Sequence, residues 1–311
     1  MADRVPRPGL SVAARALLGV VAAVVAGAIA VVDGAVLAAG HPALPVLLAV
    51  LGVAGLVLAV RSARPARRGR LRTAGRCAAA LLLVALVAAA VWLRPYPAGA
   101  TAVAAADTTA PGPVAVVHTA TTWELRPASP SGTGFVFVPG ALVDPRAYLP
   151  LLQPLAERGV RVVVTAPPLG FALADPGAVA RAVASAPEVR TWAVGGHSLG
   201  GVAAAQALDV PGVRGLVLWA SYPAGDVSGA PVTALSVSGS DDGLATPDAI
   251  AESWTRLPPG SRFVVVQGGV HAFFGDYGPQ AGDGVPGVDR ASAQRQITGA
   301  TVLFVTGLRP G

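Results

Sequence analysis

Thr191-Trp192-Ala193-Val194-Gly195-Gly196-His197-Ser198-Leu199-Gly200-Gly201-Val202-Ala203-Ala204-Ala205 is the stretch on which the fold turns. It opens with a β-rich run and closes with an Ala-rich run that favours helix. Between them Gly196-His197-Ser198-Leu199-Gly200 sets a serine in a glycine-bracketed turn. In such a strand-turn-helix the serine sits on strained backbone with its oxygen projecting above the sheet. Small residues at 196 and 200 let the backbone and the neighbouring strand approach closely. The pentapeptide alone is a weak signal in a chain with 38 glycines; the strand before it and the helix after it give it weight.

On either side, short β-branched runs alternate with helical stretches from about residue 114. The expected strands are 135–138, 160–165, 191–194, 215–220, 232–237 and 262–267. The expected helices are 148–158, 176–186, 199–208, 246–256 and 291–308. This alternation implies an α/β fold, a mostly parallel sheet with helices on both faces.

Two later segments bear on Ser198. Ser236-Val237-Ser238-Gly239-Ser240-Asp241-Asp242-Gly243 puts two acids directly after a strand, and Gln267-Gly268-Gly269-Val270-His271 puts a histidine after the next. Serine, acid and histidine in that chain order suit a nucleophilic triad. Only four histidines exist: His41 is in an apolar region, His118 precedes the first expected strands, and His197 is the variable position of the turn. His271 is therefore the natural general base. The competing reading, a serine in a glycine turn with an incidental loop acid and histidine, needs three coincidences in the right order. Asp241 and Asp242 are not separable by residue type.

Several segments together carry a resemblance. They are Val138-Pro139-Gly140-Ala141-Leu142-Val143-Asp144-Pro145 with Tyr148, the run Gly195 to Gly201, Trp219-Ala220-Ser221-Tyr222-Pro223, Gly239 to Thr246, and Gly269 to Gly278. On these, residues 135–298 resemble the α/β-hydrolase superfamily, within it a dienelactone-hydrolase-like bacterial group. The resemblance implies the α/β-hydrolase fold and a Ser198, His271, Asp242 triad, with Asp242 favoured because it immediately precedes Gly243. It also implies acyl transfer to water through an acyl-enzyme, with the backbone N–H groups of Ala141 and Leu199 as the oxyanion hole. Relatives usually carry two glycines after the proline; here the second is Ala141.

Ser198 and Asp242 are 44 residues apart, which leaves no room for a lid domain and predicts an open site for a small acyl or ester substrate, lipid-derived esters included. Trp219, Tyr222, Phe273 and Phe274, beside loops at the C-terminal ends of strands, are candidates to line the acyl pocket, with core packing an equal alternative for the two phenylalanines. The loop Gly275-Asp276-Tyr277-Gly278 to Asp283 reads as a surface loop that orients His271, since its acids lack a ligand-spaced repeat. No metal and no cofactor are expected. An acyltransferase on cell-envelope components and a catalytically silent membrane-tethered binding protein stand as alternatives to a carboxylic-ester hydrolase.

The first quarter differs in character. Apolar runs at about 16–39, 43–60 and 77–93 each approach the roughly 20 residues that cross a bilayer as helix, and residues 1–95 read as a membrane region with three spans. All 23 basic residues are Arg; ten precede residue 77, against only Asp3 and Asp33. The remainder is close to neutral, so the high pI reflects membrane-flanking arginines rather than nucleic-acid binding. The tail and the 61–76 loop would lie inside and the region after 93 outside, placing the catalytic part on the extracytoplasmic side of a multi-pass protein. Asp33 reads as an interfacial residue, and Cys77, the single cysteine, as a helix-surface residue. Residues 96–113 read as an extended linker, and 114–311 as the catalytic domain.

Overall fold

The computed structural model describes residues 11–62, 70–109 and 112–309. The N-terminal tail, most of the arginine-rich loop and Pro111 lie outside the described residues. The chain divides into a helical unit within residues 1–94 and an α/β unit comprising 95–311 with the short piece 38–41.

The helical unit holds α1 (Val12–Val32), most of α2 (Gly34–Ala39), α3 (Ala43–Ser62) and α4 (Arg70–Trp92). Stretches Val12–Val32, Ala43–Ser62 and Thr73–Trp92 are long and apolar enough to cross a membrane. Valines and leucines such as Leu17, Val24, Val31, Val53 and Leu81 stand exposed, as suits an apolar surrounding. The expected first span, 16–39, is not one helix. It breaks at Asp33, whose N–H still bonds Ile29 O but whose carboxylate accepts two bonds from Arg94, at 2.7 and 3.0 Å. Inside the unit, α1 and α3 touch through Gly19 and Gly55: a Cβ on either would lie 2.5 Å from the other's carbonyl oxygen, so glycine permits the close approach.

The α/β unit is built on an eight-stranded sheet. In sequence its strands are β1 (Val114–His118), β2 (Thr122–Pro127), β3 (Thr133–Val138), β4 (Arg161–Thr165), β5 (Thr191–His197), β6 (Val213–Trp219), β7 (Thr233–Gly239) and β8 (Arg262–Val266). Their spatial order is β1-β2-β4-β3-β5-β6-β7-β8. The pairings from β4 to β8 are parallel; β1 and β2 are antiparallel additions at one edge. The sequence reading begins with β3 and omits this hairpin. His118 therefore does not precede the strands: it ends β1 and stacks on Trp123 of β2 at 4.0 Å.

Period-two alternation sends side chains to both faces, and both are covered. Phe135, Phe137, Val217 and Trp219 join one apolar cluster with α6 (Leu149–Ala156) and α10 (Arg290–Thr306). Val136, Val138, Val194, Leu216 and Leu218 join the other with α7 (Ala178–Ala184) and α8 (Leu199–Ala204). The remaining helix, α9 (Pro247–Glu252), lies between β7 and β8 in sequence and is capped by Thr246, whose hydroxyl accepts from Ala249 N–H.

The stretch 96–113 is not extended throughout. Tyr96 bridges to Val143 and Ala98 to Tyr277, and helix α5 (Ala100–Ala105) follows. Six residues of Ala, Thr and Val are too short to hold a helix alone. Asp276 supplies the missing support: its carboxylate accepts from Ala102 N–H at 2.9 Å and its carbonyl from Gly99 N–H at 2.7 Å.

Candidate active site

Ser198 lies between β5 and α8 with φ 53° and ψ −126°, a backbone conformation that costs a non-glycine residue on the order of 1–3 kcal/mol and persists only where its surroundings enforce it. The enforcement is visible at the glycines. A Cβ at 196 would meet Val138 O at 2.5 Å and the Gly200 backbone at 2.4 Å; one at 200 would meet Val138 O at 2.1 Å. The turn is also pinned by Ser198 N–H to Trp219 O at 3.0 Å and by Ser221 Oγ donating to Ser198 O at 2.6 Å.

His271 opens a 3-10 turn, His271–Phe274, after β8, and is almost fully buried. Its Nδ1 lies 2.9 and 3.1 Å from the two carboxylate oxygens of buried Asp242, which follows β7. Asp242 Oδ1 also accepts from Leu244 and Ala245 N–H, both at 2.8 Å. A carboxylate held in this way receives Nδ1–H, so the free imidazole lone pair is on Nε2. That atom is buried with no hydrogen-bond partner, the Ser198 hydroxyl included. In resting sites such bonds are often long and tighten when substrate binds. Asp241 turns elsewhere: its side chain accepts from Ser240 Oγ and its N–H donates to Gly269 O. The carboxylate on the histidine is Asp242's.

The loop around 276–283 orients the histidine through one residue in particular. The Asp283 carboxylate accepts from His271 N–H at 2.9 Å and Ala272 N–H at 2.8 Å. Arg290 adds bonds to the carbonyls of Ala272 and Gly275, with its guanidinium 4.8 Å over the Phe273 ring. Burial lowers the Arg290 pKa from its ordinary value, against the opposing pull of Asp276.

On the facing side, the loop after β3 is fastened at several points. Gly140 N–H donates to Tyr148 Oη, Leu142 N–H to Gly170 O, and Val143 N–H to Gly140 O. Asp144 caps the following turn and forms a buried ion pair with Arg146 at 2.7 Å. These bonds leave the N–H groups of Ala141 and Leu199 uncommitted among the described residues.

The aromatic candidates divide. Trp219 does not line a pocket: it is fully buried, packs 4.8 Å from Phe137, and donates Nε1–H to Thr301 Oγ1 of α10 at 2.9 Å. Phe274 is likewise interior, its ring parallel to His197 at 5.9 Å, and Phe273 is held under Arg290. Of the four, only Tyr222 is half-exposed, with Arg256 5.8 Å over its ring.

One connection was not anticipated from sequence. Tyr148 Oη lies 2.9 Å from His197 Nδ1, and the His197 ring packs 4.5 Å from that of His271. Burial first, and His271 second, push the His197 pKa well below its ordinary value; burial raises that of Tyr148. Both are neutral near pH 7. The sequence signal that could have found the pair is Gly140, where a Cβ would fall 2.7 Å from His197 Nδ1.

Among the described residues, no group of three or more His, Cys, Asp and Glu side chains could hold a metal ion.

A strained serine between β5 and α8, and a carboxylate-bound histidine after β8 of the same largely parallel sheet, point to a class. The profile described as "Alpha/beta hydrolase family" matches residues 134–296, just over half of the chain. The chain belongs to that family. No curated protein matches in sequence. Among solved structures, it is similar to esterase 2 of Thermogutta terrifontis phosphoramylated by tabun (15% identity, 62% of this chain and 94% of that one, TM-score 0.45). It is also similar to the esterase domain of a Rhodothermus marinus protein (15%, 59% and 90%, 0.46) and to Est1E of Butyrivibrio proteoclasticus (12%, 63% and 100%, 0.45).

Proposed function

We propose that this chain is a membrane-anchored serine hydrolase that cleaves carboxylic esters. The observation that carries the reading is the Asp242–His271 pair, bonded at Nδ1 and unbonded at Nε2, one ring contact away from the residue preceding Ser198. In the first step His271 Nε2 takes the Ser198 proton as Oγ attacks the ester carbonyl, and Asp242 stabilises the imidazolium. The oxyanion is received by the N–H groups of Ala141 and Leu199, each such donor worth about 3 kcal/mol in comparable sites. The imidazolium then protonates the departing alkoxide, and water, activated by the same His271, releases the acid and restores Ser198. No metal and no cofactor enter the cycle. The substrate is a small ester or a lipid-derived one.

The three apolar helices are read as transmembrane spans, with the arginine-rich segments inside and the α/β unit on the extracytoplasmic side. A reporter active only after export, fused after Gly311, is expected to be active; an inactive but well-expressed fusion reverses the topology.

The test of the chemistry is fluorophosphonate labelling of the detergent-solubilised full chain, with turnover of p-nitrophenyl butyrate measured beside it. Wild type is expected to label on Ser198 and Ser198→Ala to lose both labelling and turnover. Turnover retained in Ser198→Ala would overturn the assignment, and a wild type that never labels would favour a silent binding protein. Ester products appearing only when an alcohol acceptor is added would make it an acyltransferase.

A further inference from the structure

The oxyanion reading needs two backbone amides, on separate loops, held at a fixed separation. Beyond the last paired residues of β3 and β5, Val138 and Gly196, a two-bond bridge joins these loops. Gly140 N–H donates to Tyr148 Oη at 3.0 Å, and Tyr148 Oη reaches His197 Nδ1 at 2.9 Å. Gly140 precedes Ala141, and His197 precedes Ser198 and Leu199.

The protons of this bridge have one arrangement. Gly140 N–H is itself a donor, so among the described residues the one acceptor at the phenol hydrogen is His197 Nδ1, and the hydroxyl donates there. His197, uncharged in its buried setting, then carries its proton on Nε2. His197 Nε2 is buried with no hydrogen-bond partner among the described residues. The bridge is closely packed. Tyr148 and His197 are fully buried, the His197 ring is wedged between His271 at 4.5 Å and Phe274 at 5.9 Å, and a Cβ at 140 would crowd both partners.

We infer that Tyr148 is a positioning residue for the oxyanion site: its hydroxyl, through His197, sets the separation between the Ala141 and Leu199 N–H groups. This rests on the serine-hydrolase reading above. The bridge touches no reacting atom; it acts by pre-organising donors that need correct geometry only when negative charge develops. Tyr148→Phe deletes the shared oxygen and leaves Gly140 N–H and His197 Nδ1 buried without partners, freeing the loop to shift. His197→Asn keeps an acceptor oxygen near the Nδ1 position, whereas His197→Leu does not.

The test uses the full chain in detergent and a fluorophosphonate probe, with inactivation resolved into the saturation constant KI and the limiting rate kinact, normalised to the amount of labelled Ser198. Tyr148→Phe is expected to lower kinact by about 10- to 100-fold with KI within about twofold, since the phosphonyl oxygen uses the same two donors. His197→Leu should match it, His197→Asn should recover most of the rate, and the double variant with Leu should lose no more than either single one. A kinact per labelled serine within threefold of wild type in Tyr148→Phe, or an additive double variant, would overturn the inference while leaving the hydrolase reading intact. A wild type that does not label at Ser198 would remove the hydrolase reading and this inference with it. If Tyr148→Phe does not fold, the His197→Asn and His197→Leu comparison decides alone: equal rates refute the bridge, and a higher rate for Asn supports it.

Discussion

Replacing Asp242 by Asn tests the assignment of the acid with a defined expectation at the atomic level. Oδ1 accepts from the N–H groups of Leu244 and Ala245 at 2.8 Å, while Oδ2 is the oxygen nearest His271 Nδ1. An asparagine must keep its carbonyl oxygen at the Oδ1 position, because an NH2 there would face two N–H donors. Its NH2 then falls where Oδ2 was, about 2.9 Å from Nδ1. Two donors cannot face each other, so the imidazole proton moves to Nε2 and the base is lost without the fold being disturbed. Serine-protease triads lose about 10⁴-fold in this way, on the order of 5.5 kcal/mol of transition-state stabilisation. The same loss is expected here in kcat/KM for p-nitrophenyl butyrate and in the rate of fluorophosphonate labelling, with Tm close to wild type. Asp241→Asn should remain within about threefold, since its carboxylate accepts from Ser240 Oγ and lies beside Gly287, while the bonds to His271 Nδ1 are those of Asp242. The reasoning fails if Asp242→Asn keeps a tenth of wild-type activity, or if Asp241→Asn falls as far.

Two further outcomes follow from packing and titration. Gly200→Ala places a methyl 2.1 Å from Val138 O and 2.4 Å from Pro139 O, both backbone atoms, so the strand end must move; a loss of roughly 1–3 kcal/mol or more in denaturant unfolding is expected, with activity lost beside it, whereas Gly112→Ala, with open space around it, should be neutral. His197 is held neutral by burial, so below its unfolded value near 6.5 the unfolded chain binds a proton the folded chain refuses. Its contribution to stability is present above that pH and lost as pH falls below it, at about 1.4 kcal/mol per pH unit, and His197→Asn should flatten the slope by close to one proton. An unchanged slope in that variant would refute the burial argument.

Much of the site could be read in the chain because its requirements are local. A serine bracketed by glycines needs strand before and helix after, and both can be read within fifteen residues. The acid and the histidine follow their own strands, so the order Ser198, Asp242, His271 stands in the primary structure. What could not be read depends on partners far away in sequence. Helix α5 exists because Asp276, some 170 residues later, caps it, and the β1-β2 hairpin, though its Val, Thr and Trp suit strands, is joined to the sheet by the antiparallel pairing of β2 with the distant β4. Trp219 sits at the end of a strand, where both faces are open to it in sequence terms; its parity with Val217 sends it under α10 to Thr301 and out of the pocket.

The sequence by itself determined the strand-turn-helix around Ser198, the chain order of the candidate triad, the alternation that demands a parallel sheet, and three apolar stretches of spanning length. Each follows from short-range sterics, hydrogen-bonding capacity or hydropathy. Only the tertiary structure decided that Asp242 and not Asp241 meets His271, that Asp283 fastens the histidine loop, and that Tyr148 and His197 join the two loops around Ser198. Adjacent residues of one type differ only in direction, and direction is set when distant strands fix the backbone that carries them.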